Sequence, residues 1–181
     1  MPLPLNDTGP QRTLRSARIT RTCVLTVTGH RPLTADDWDR HCQVLETMQR
    51  EMSRDETAAN LAFAESGPDA VQRAQVNGVA KLHPQIGAIV SASIMVRGII
   101  TALGWTGTRV TSYPPERWRD AFAACGIVDR EEIERFGELA LQYERELGAQ
   151  LPALDGVRRD ALARAGDGGA PSSTYPRGAR G

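Results

Sequence analysis

Apolar positions in this chain keep two rhythms: short dense runs rich in β-branched residues, and stripes that recur every three or four residues. Arg18–Thr28 is of the first kind and predicts a strand, or two short strands with a bend near Arg21. Gly29-His30-Arg31-Pro32 is a turn. Trp38, Cys42, Leu45, Met48 and Met52 then keep a helical stripe. Thr34 is placed as its N-cap, Asp37 three residues on as the partner in a capping box, and Leu33 with Trp38 as a hydrophobic staple. Asn60–Ala64 predicts a short strand, Glu65–Pro68 a turn, and Val71, Gln75, Val79 and Leu82 a helix that ends at His83-Pro84. A strand follows over Ile86–Val90, then a helix from Ile94 to about Leu103 whose core face is Ile94, Val96, Ile99, Ile100 and Leu103. Gly104–Thr108 is a loop and Arg109–Tyr113 a strand. Pro114-Pro115 opens a helix with Trp118, Phe122 and Cys125 inward and Gly126 at its C′ position. Strands alternating with helices imply an α/β domain: a mixed, mostly parallel sheet of four or five strands with crossover helices.

Beyond that domain, Asp129–Gly148 predicts a helix with Asp129 and Glu132 as a capping box. Ile133, Phe136, Ala140, Tyr143 and Leu147 form a heptad seam only two heptads long. Such a seam either docks on a partner or a second copy, or packs on its own domain. The first outcome makes Ile133, Phe136, Tyr143 and Leu147 candidate interface residues. Leu154–Ala165 predicts a further short helix, and the tail from Gly166 is low in complexity. The expected organisation is a disordered arm over 1–15, the α/β domain over 16–127, a helical extension over 128–165 and a disordered tail over 166–181.

Composition narrows the function classes. The 22 basic and 22 acidic residues cancel, so no global basic field marks a nucleic-acid binder. Arg12, Arg15, Arg18 and Arg21 recur every three residues and are expected to be a solvated arm, with contact to an anionic partner as the alternative. Cys23, Cys42 and Cys125 are odd in number and widely spaced, which argues against disulfides or a zinc site and for small buried hydrophobes in a reducing compartment. The first residues lack the apolar core of a secretory signal, and no apolar run approaches the ~20 residues of a membrane span. The expectation is a cytoplasmic protein without membrane insertion.

The chemically suggestive stretch is Ser91-Ala92-Ser93, where a strand feeds a helix. A nucleophile elbow needs Gly-x-Ser-x-Gly, and neither serine has a flanking glycine. His83 lies before the strand, at its opposite end; His30 alone is weak support. An anion cradle of Ser91, Ser93 and the first helical N–H groups, helped by Arg97, is a second reading. The preferred one is that Ser93 caps the helix, and a cap of this kind accepts phosphorylation without penalty. His41 has no ligand partner at metal spacing and reads as a boundary histidine. Asp36, Asp37 and Asp39, like Glu131, Glu132 and Glu134, sit in first turns where the helix dipole explains them. Gln72 and Arg73 are polar helix positions with no catalytic partner in view.

Three segments together resemble the STAS superfamily, more closely its SpoIIAA-like branch: "LTADDWDRHCQVLE", "GPDAVQRAQVNGV" and "IGAIVSASIMVRGIITALGWTGTRVTSYPPERWRDAFAACGI". The resemblance covers about Ile19 to Ile127, and its motifs are apolar patterns. It implies a mixed sheet with helices largely on one side. It also implies a non-enzymatic regulatory or scaffold role in bacterial signalling, exerted through protein–protein contact and often switched by Ser/Thr phosphorylation. The position that corresponds to the switch is "AESGPDA", with Ser66 the candidate; the preceding Asp is replaced and Pro68 is unusual there. The expectations are therefore a protein partner, a possible homo-oligomer, no cofactor and no metal. A module for a nucleotide or lipid headgroup at Ser91–Ser93 is the first alternative, and an enzyme of unrecognised type the second.

Overall fold

The chain starts its sheet with a hairpin. In the computed structural model, which describes residues 12–79, 82–103 and 109–167, β1 (Leu14–Arg18) runs antiparallel to β2 (Cys23–Thr28). The expected bend at Arg21 is the hairpin turn, held by the Arg18 guanidinium on the carbonyls of Thr20 (3.1 Å) and Arg21 (2.7 Å). Then follow α1 (Ala35–Glu51), β3 (Ala58–Ala64), α2 (Ala70–Val79), β4 (Gln85–Val90), α3 (Ile94–Leu103) and β5 (Arg109–Tyr113). A short 3-10 turn at Pro115–Arg117 leads into α4 (Trp118–Ala124), then α5 (Arg130–Leu147), a second 3-10 turn at Pro152–Leu154 and α6 (Asp155–Asp167). Expectations for residues 1–11 and 168–181, for the 104–108 loop, and for the side chains of Ile99, Ile100 and Leu103 lie outside what is described.

The strands stand side by side in chain order, β1-β2-β3-β4-β5, with β2 to β5 parallel. α1, α2 and α3 share one face, where their residues line one cavity, as crossovers of one hand between successive neighbours require. The other face carries the main core. Leu25, Val27, Leu61, Phe63, Ala88 and Val90 point into it and meet Trp118 and Phe122 of α4, then α5 and α6. Phe122 stacks on Phe136 at 6.3 Å and meets Trp118 edge-on at 5.7 Å. Gly126, at φ +79°, closes α4 in a left-handed conformation that favours glycine, as its C′ position predicted.

Several expectations change. The arm expected to be disordered through residue 15 ends earlier: Thr13 is buried and β1 begins at Leu14. Residues 128–165 are not an extension but one wall of the main core, because α4 covers that sheet face chiefly over β4 and β5 and these residues cover it over β1 and β2. The helices therefore occupy both sides of the sheet, not largely one. The arginine run is no free arm: Arg15 pairs with Glu146, Arg18 with Glu51 and Arg21 with Glu56. Cys23 and Cys42 are buried thiols, whereas Cys125 is only half-buried. The neighbouring Cys125 and burial both push the Cys23 thiol up.

Thr34 caps α1, accepting from the Asp37 N–H at 3.3 Å, but the reciprocal half of the capping box is not made. Asp37 is buried and turns to β1, accepting from the Thr13 N–H (2.7 Å) and hydroxyl (3.0 Å). Burial alone would raise this carboxyl; the Thr13 and Thr34 bonds outweigh it and hold the carboxyl below its usual range. The helix-dipole explanation suffices for Asp36 and Asp39, which are exposed, but not for Asp37.

Candidate functional site

The Ser91–Ser93 turn is structurally satisfied. Ser93 Oγ accepts from the Val96 N–H at 3.2 Å, which makes it the N-cap, and the buried Ser91 Oγ accepts from the Ser93 N–H at 3.2 Å. Arg97 folds back and donates to the carbonyls of Ser91 (2.6 Å) and Ala92 (3.1 Å). Its charge thus serves the loop's own oxygens, and the turn presents the features of a cap rather than those of an anion cradle.

Ser66 lies after β3, where its hydroxyl donates to the Gly29 carbonyl at 2.9 Å while its own carbonyl accepts from Thr28 Oγ1 at 3.2 Å. It ties two parallel strands together at their carboxyl ends. The cap of α2 is Asp69, in a reciprocal box with Gln72: the Gln72 N–H donates to Asp69 Oδ1 at 2.8 Å, and the Asp69 N–H to Gln72 Oε1 at 2.9 Å.

The heptad seam is a correction. Ile133, Phe136, Tyr143 and Leu147 are buried in the main core against β2 and its neighbours, so they are not surface available to a partner. The exposed apolar residues lie elsewhere. Val71 (77% exposed) is in the first turn of α2, and Ile94 (79%) and Met95 (76%) open α3. Ile94 was expected in the core. Both first turns follow adjacent parallel strands, so these three residues share the carboxyl edge of the sheet.

The face under α1–α3 holds a cavity of about 310 Å³. Its floor comes from strand alternation. Asn60, Ala62 and Ala64 of β3 face it while Leu61 and Phe63 face the main core. In register beside them lie Thr26 and Thr28 of β2 and Gly87 and Ile89 of β4. The floor is low because its residues are small: a Cβ on Gly87 would come within 3.1 Å of Val110. Leu33, Trp38, His41 and Leu45 form one wall and Arg73, Val76 and Val96 the other, with Ser66, Gly67 and Pro68 at the carboxyl end.

Its polar groups are few. Thr26 Oγ1 donates to Asn60 Oδ1 at 3.2 Å. The buried Trp38 Nε1 has no hydrogen-bond partner among the described residues. Arg73 donates to the Pro68 carbonyl at 2.8 Å and forms no ion pair among the described residues. His41 is nearly sealed; Nδ1 lies 3.1 Å from Ser16 Oγ and its ring is 5.1 Å from Trp38. Burial lowers its pKa to about 4. A serine beside a histidine raises the question of a nucleophile, but a base this weak leaves the hydroxyl protonated, and among the described residues no carboxylate orients the ring. The pair instead anchors α1 to β1. His30 Nε2 meets the Gln150 carbonyl at 3.3 Å and His83 Nε2 the Gln49 carbonyl at 2.9 Å.

The sequence reading missed this cavity. Its signal was the alternation in "NLAFA", where polar or small residues share one side and large ones the other. Among the described residues no group of three or more His, Cys, Asp or Glu is placed to hold a metal ion, and no helix is long and apolar enough to cross a membrane. Comparison of the chain with protein families, curated proteins and solved structures gave no match.

Proposed function

We propose that this protein is a non-catalytic regulatory module that binds a small, predominantly apolar ligand between its sheet and the α1–α3 layer. The observation that carries the reading is the cavity of about 310 Å³, apolar in most of its lining and supplied with a few polar groups, the usual composition of a small-molecule site. The consecutive parallel order of β2–β5 and the STAS-like sequence segments support a regulatory rather than a catalytic role. Such a ligand replaces the Ser91–Ser93 turn as the place where small molecules engage. α2 leans on α1 through Val76 and Val79, so filling the space beneath it changes how α2 and α3 sit.

The test is a thermal melt of the full chain against a panel of small amphiphiles, with Ala62→Leu as the cavity-filling control. Members of the panel raise Tm in the wild type and not in the variant. A panel that leaves Tm unmoved, or shifts both proteins alike, removes the reading.

A second reading, contact with a protein partner, is favoured by Val71, Ile94 and Met95 at one sheet edge. In a pull-down, a partner retained by the wild type is lost when all three are changed to serine; retention by the triple variant sinks it.

A further inference from the structure

We infer that the cavity's ligand is a small monocarboxylate with an apolar body; this rests on the ligand-binding reading above and deepens it. Charge around the cavity decides the class. Among its described lining residues Arg73 alone carries a charge and none is a carboxylate. Asp69, the nearest acid in sequence, is exposed and is held in the capping box of α2. A buried cationic ligand would therefore lose its hydration with nothing to offset it. A phosphate, at about two negative charges, would meet one guanidinium and no Gly-rich loop. A single carboxylate matches the single cation.

The donors converge on one end. Trp38 is in the first turn of α1 and Arg73 in the first turn of α2. Both helices begin at the carboxyl edge of the sheet, and Gln72 Nε2, donating to the Leu33 carbonyl at 3.1 Å, holds the two starts together. Arg73 uses one donor on Pro68, and its guanidinium has others to give. The buried Trp38 Nε1–H lacks an acceptor among the described residues. A carboxylate at this end takes the remaining Arg73 donors. The rest of the lining is mainly apolar, with Leu45, Val76, Ile89, Val96 and Val110, and Thr26 and Asn60 are bonded to each other. At roughly 30 Å³ for a water-sized group, the space holds roughly ten such groups, the size of an eight-carbon acid.

The experiment titrates the full chain at pH 7.5 with sodium octanoate, 1-octanol, octylammonium and inorganic phosphate, using calorimetry, for the wild type, Arg73→Gln and Ala62→Leu. Octanoate binds about tenfold or more tightly than octanol, since a charge-assisted bond is the stronger kind. Octylammonium and phosphate do not bind. Arg73→Gln brings octanoate down to the level of octanol and leaves octanol unchanged, and Ala62→Leu abolishes both. Equal binding of octanoate and octanol in the wild type, or tighter binding of octylammonium, overturns the carboxylate class while the ligand-binding reading stands. Octanoate bound undiminished by Ala62→Leu places it outside the cavity and also overturns the inference. Binding of no probe removes both readings.

Discussion

Replacing His41 with asparagine tests whether a buried neutral ring limits stability in mild acid. The imidazole is 2% exposed, its polar contact is the Ser16 hydroxyl, and among the described residues no carboxylate pairs with it. Its pKa falls from an ordinary 6.5 to about 4 because burial penalises the charged form. Between those values the unfolded chain takes up a proton that the folded chain refuses. The unfolded state thus binds more protons, and stability falls as pH drops from 6.5 toward 4. At about 1.4 kcal/mol for each pH unit the full window is worth about 3 kcal/mol, of which about 2 kcal/mol is lost by pH 5. That is a large part of the 5–15 kcal/mol typical of a domain. Urea unfolding of the wild type at pH 7 and pH 5 gives a lower midpoint at pH 5. His41→Asn keeps a donor and acceptor near Ser16, is less stable at pH 7, and shows a much smaller drop between the two pH values. His30 and His83 are present in both proteins and cancel in the comparison. A wild-type midpoint that is the same at both pH values, or a variant that falls as far, refutes the reasoning.

Three further outcomes are expected. Gly156→Ala points its new methyl at the Pro115 carbonyl and to 2.9 Å from Trp118 Cδ1, neither of them a flexible tip, and should cost about 2 kcal/mol or more; an unchanged Tm would refute the packing described. A chain cut after Ile127 loses Phe136, Tyr143, Leu147, Leu151, Leu154 and Val157 from the main core and should show no cooperative unfolding by circular dichroism, so a sharp transition in that fragment would show the C-terminal helices to be dispensable. Ser93→Ala removes the cap on the Val96 N–H at a cost of about 1 kcal/mol, whereas Ser93→Asp retains most of it; equal denaturation midpoints for both would show the cap to be idle.

The alternation of elements was legible because each carries its own local signal. Thr34, Asp129 and Gly126 mark helix ends wherever the rest of the chain goes. What the local signals do not carry is the partner of an apolar stripe. The seam from Ile133 to Leu147 has the same spacing whether it meets another chain or β2, and only the bare sheet face decides. The same limit hid Asp37, whose first-turn position has a sufficient local explanation although its bonds run to Thr13, 24 residues earlier. The cavity was least legible of all. It exists because Ala62, Ala64 and Gly87 are small on one face of adjacent strands, and their adjacency is a property of the register.

The strand order has a consequence for how the chain is made. Each strand's neighbour in the sheet is its neighbour in sequence, so a growing chain can add strands in the order they leave the ribosome. The face bearing Leu25, Leu61, Phe63 and Val90 gains no such early shelter, because much of its cover comes from α5 and α6, which are synthesised after all five strands. At roughly 5–20 residues per second that face waits a few seconds, an apolar sheet surface open to other nascent chains and to chaperones. A translational pause before residue 130, or a premature stop there, would therefore leave a nearly finished sheet in its most aggregation-prone form.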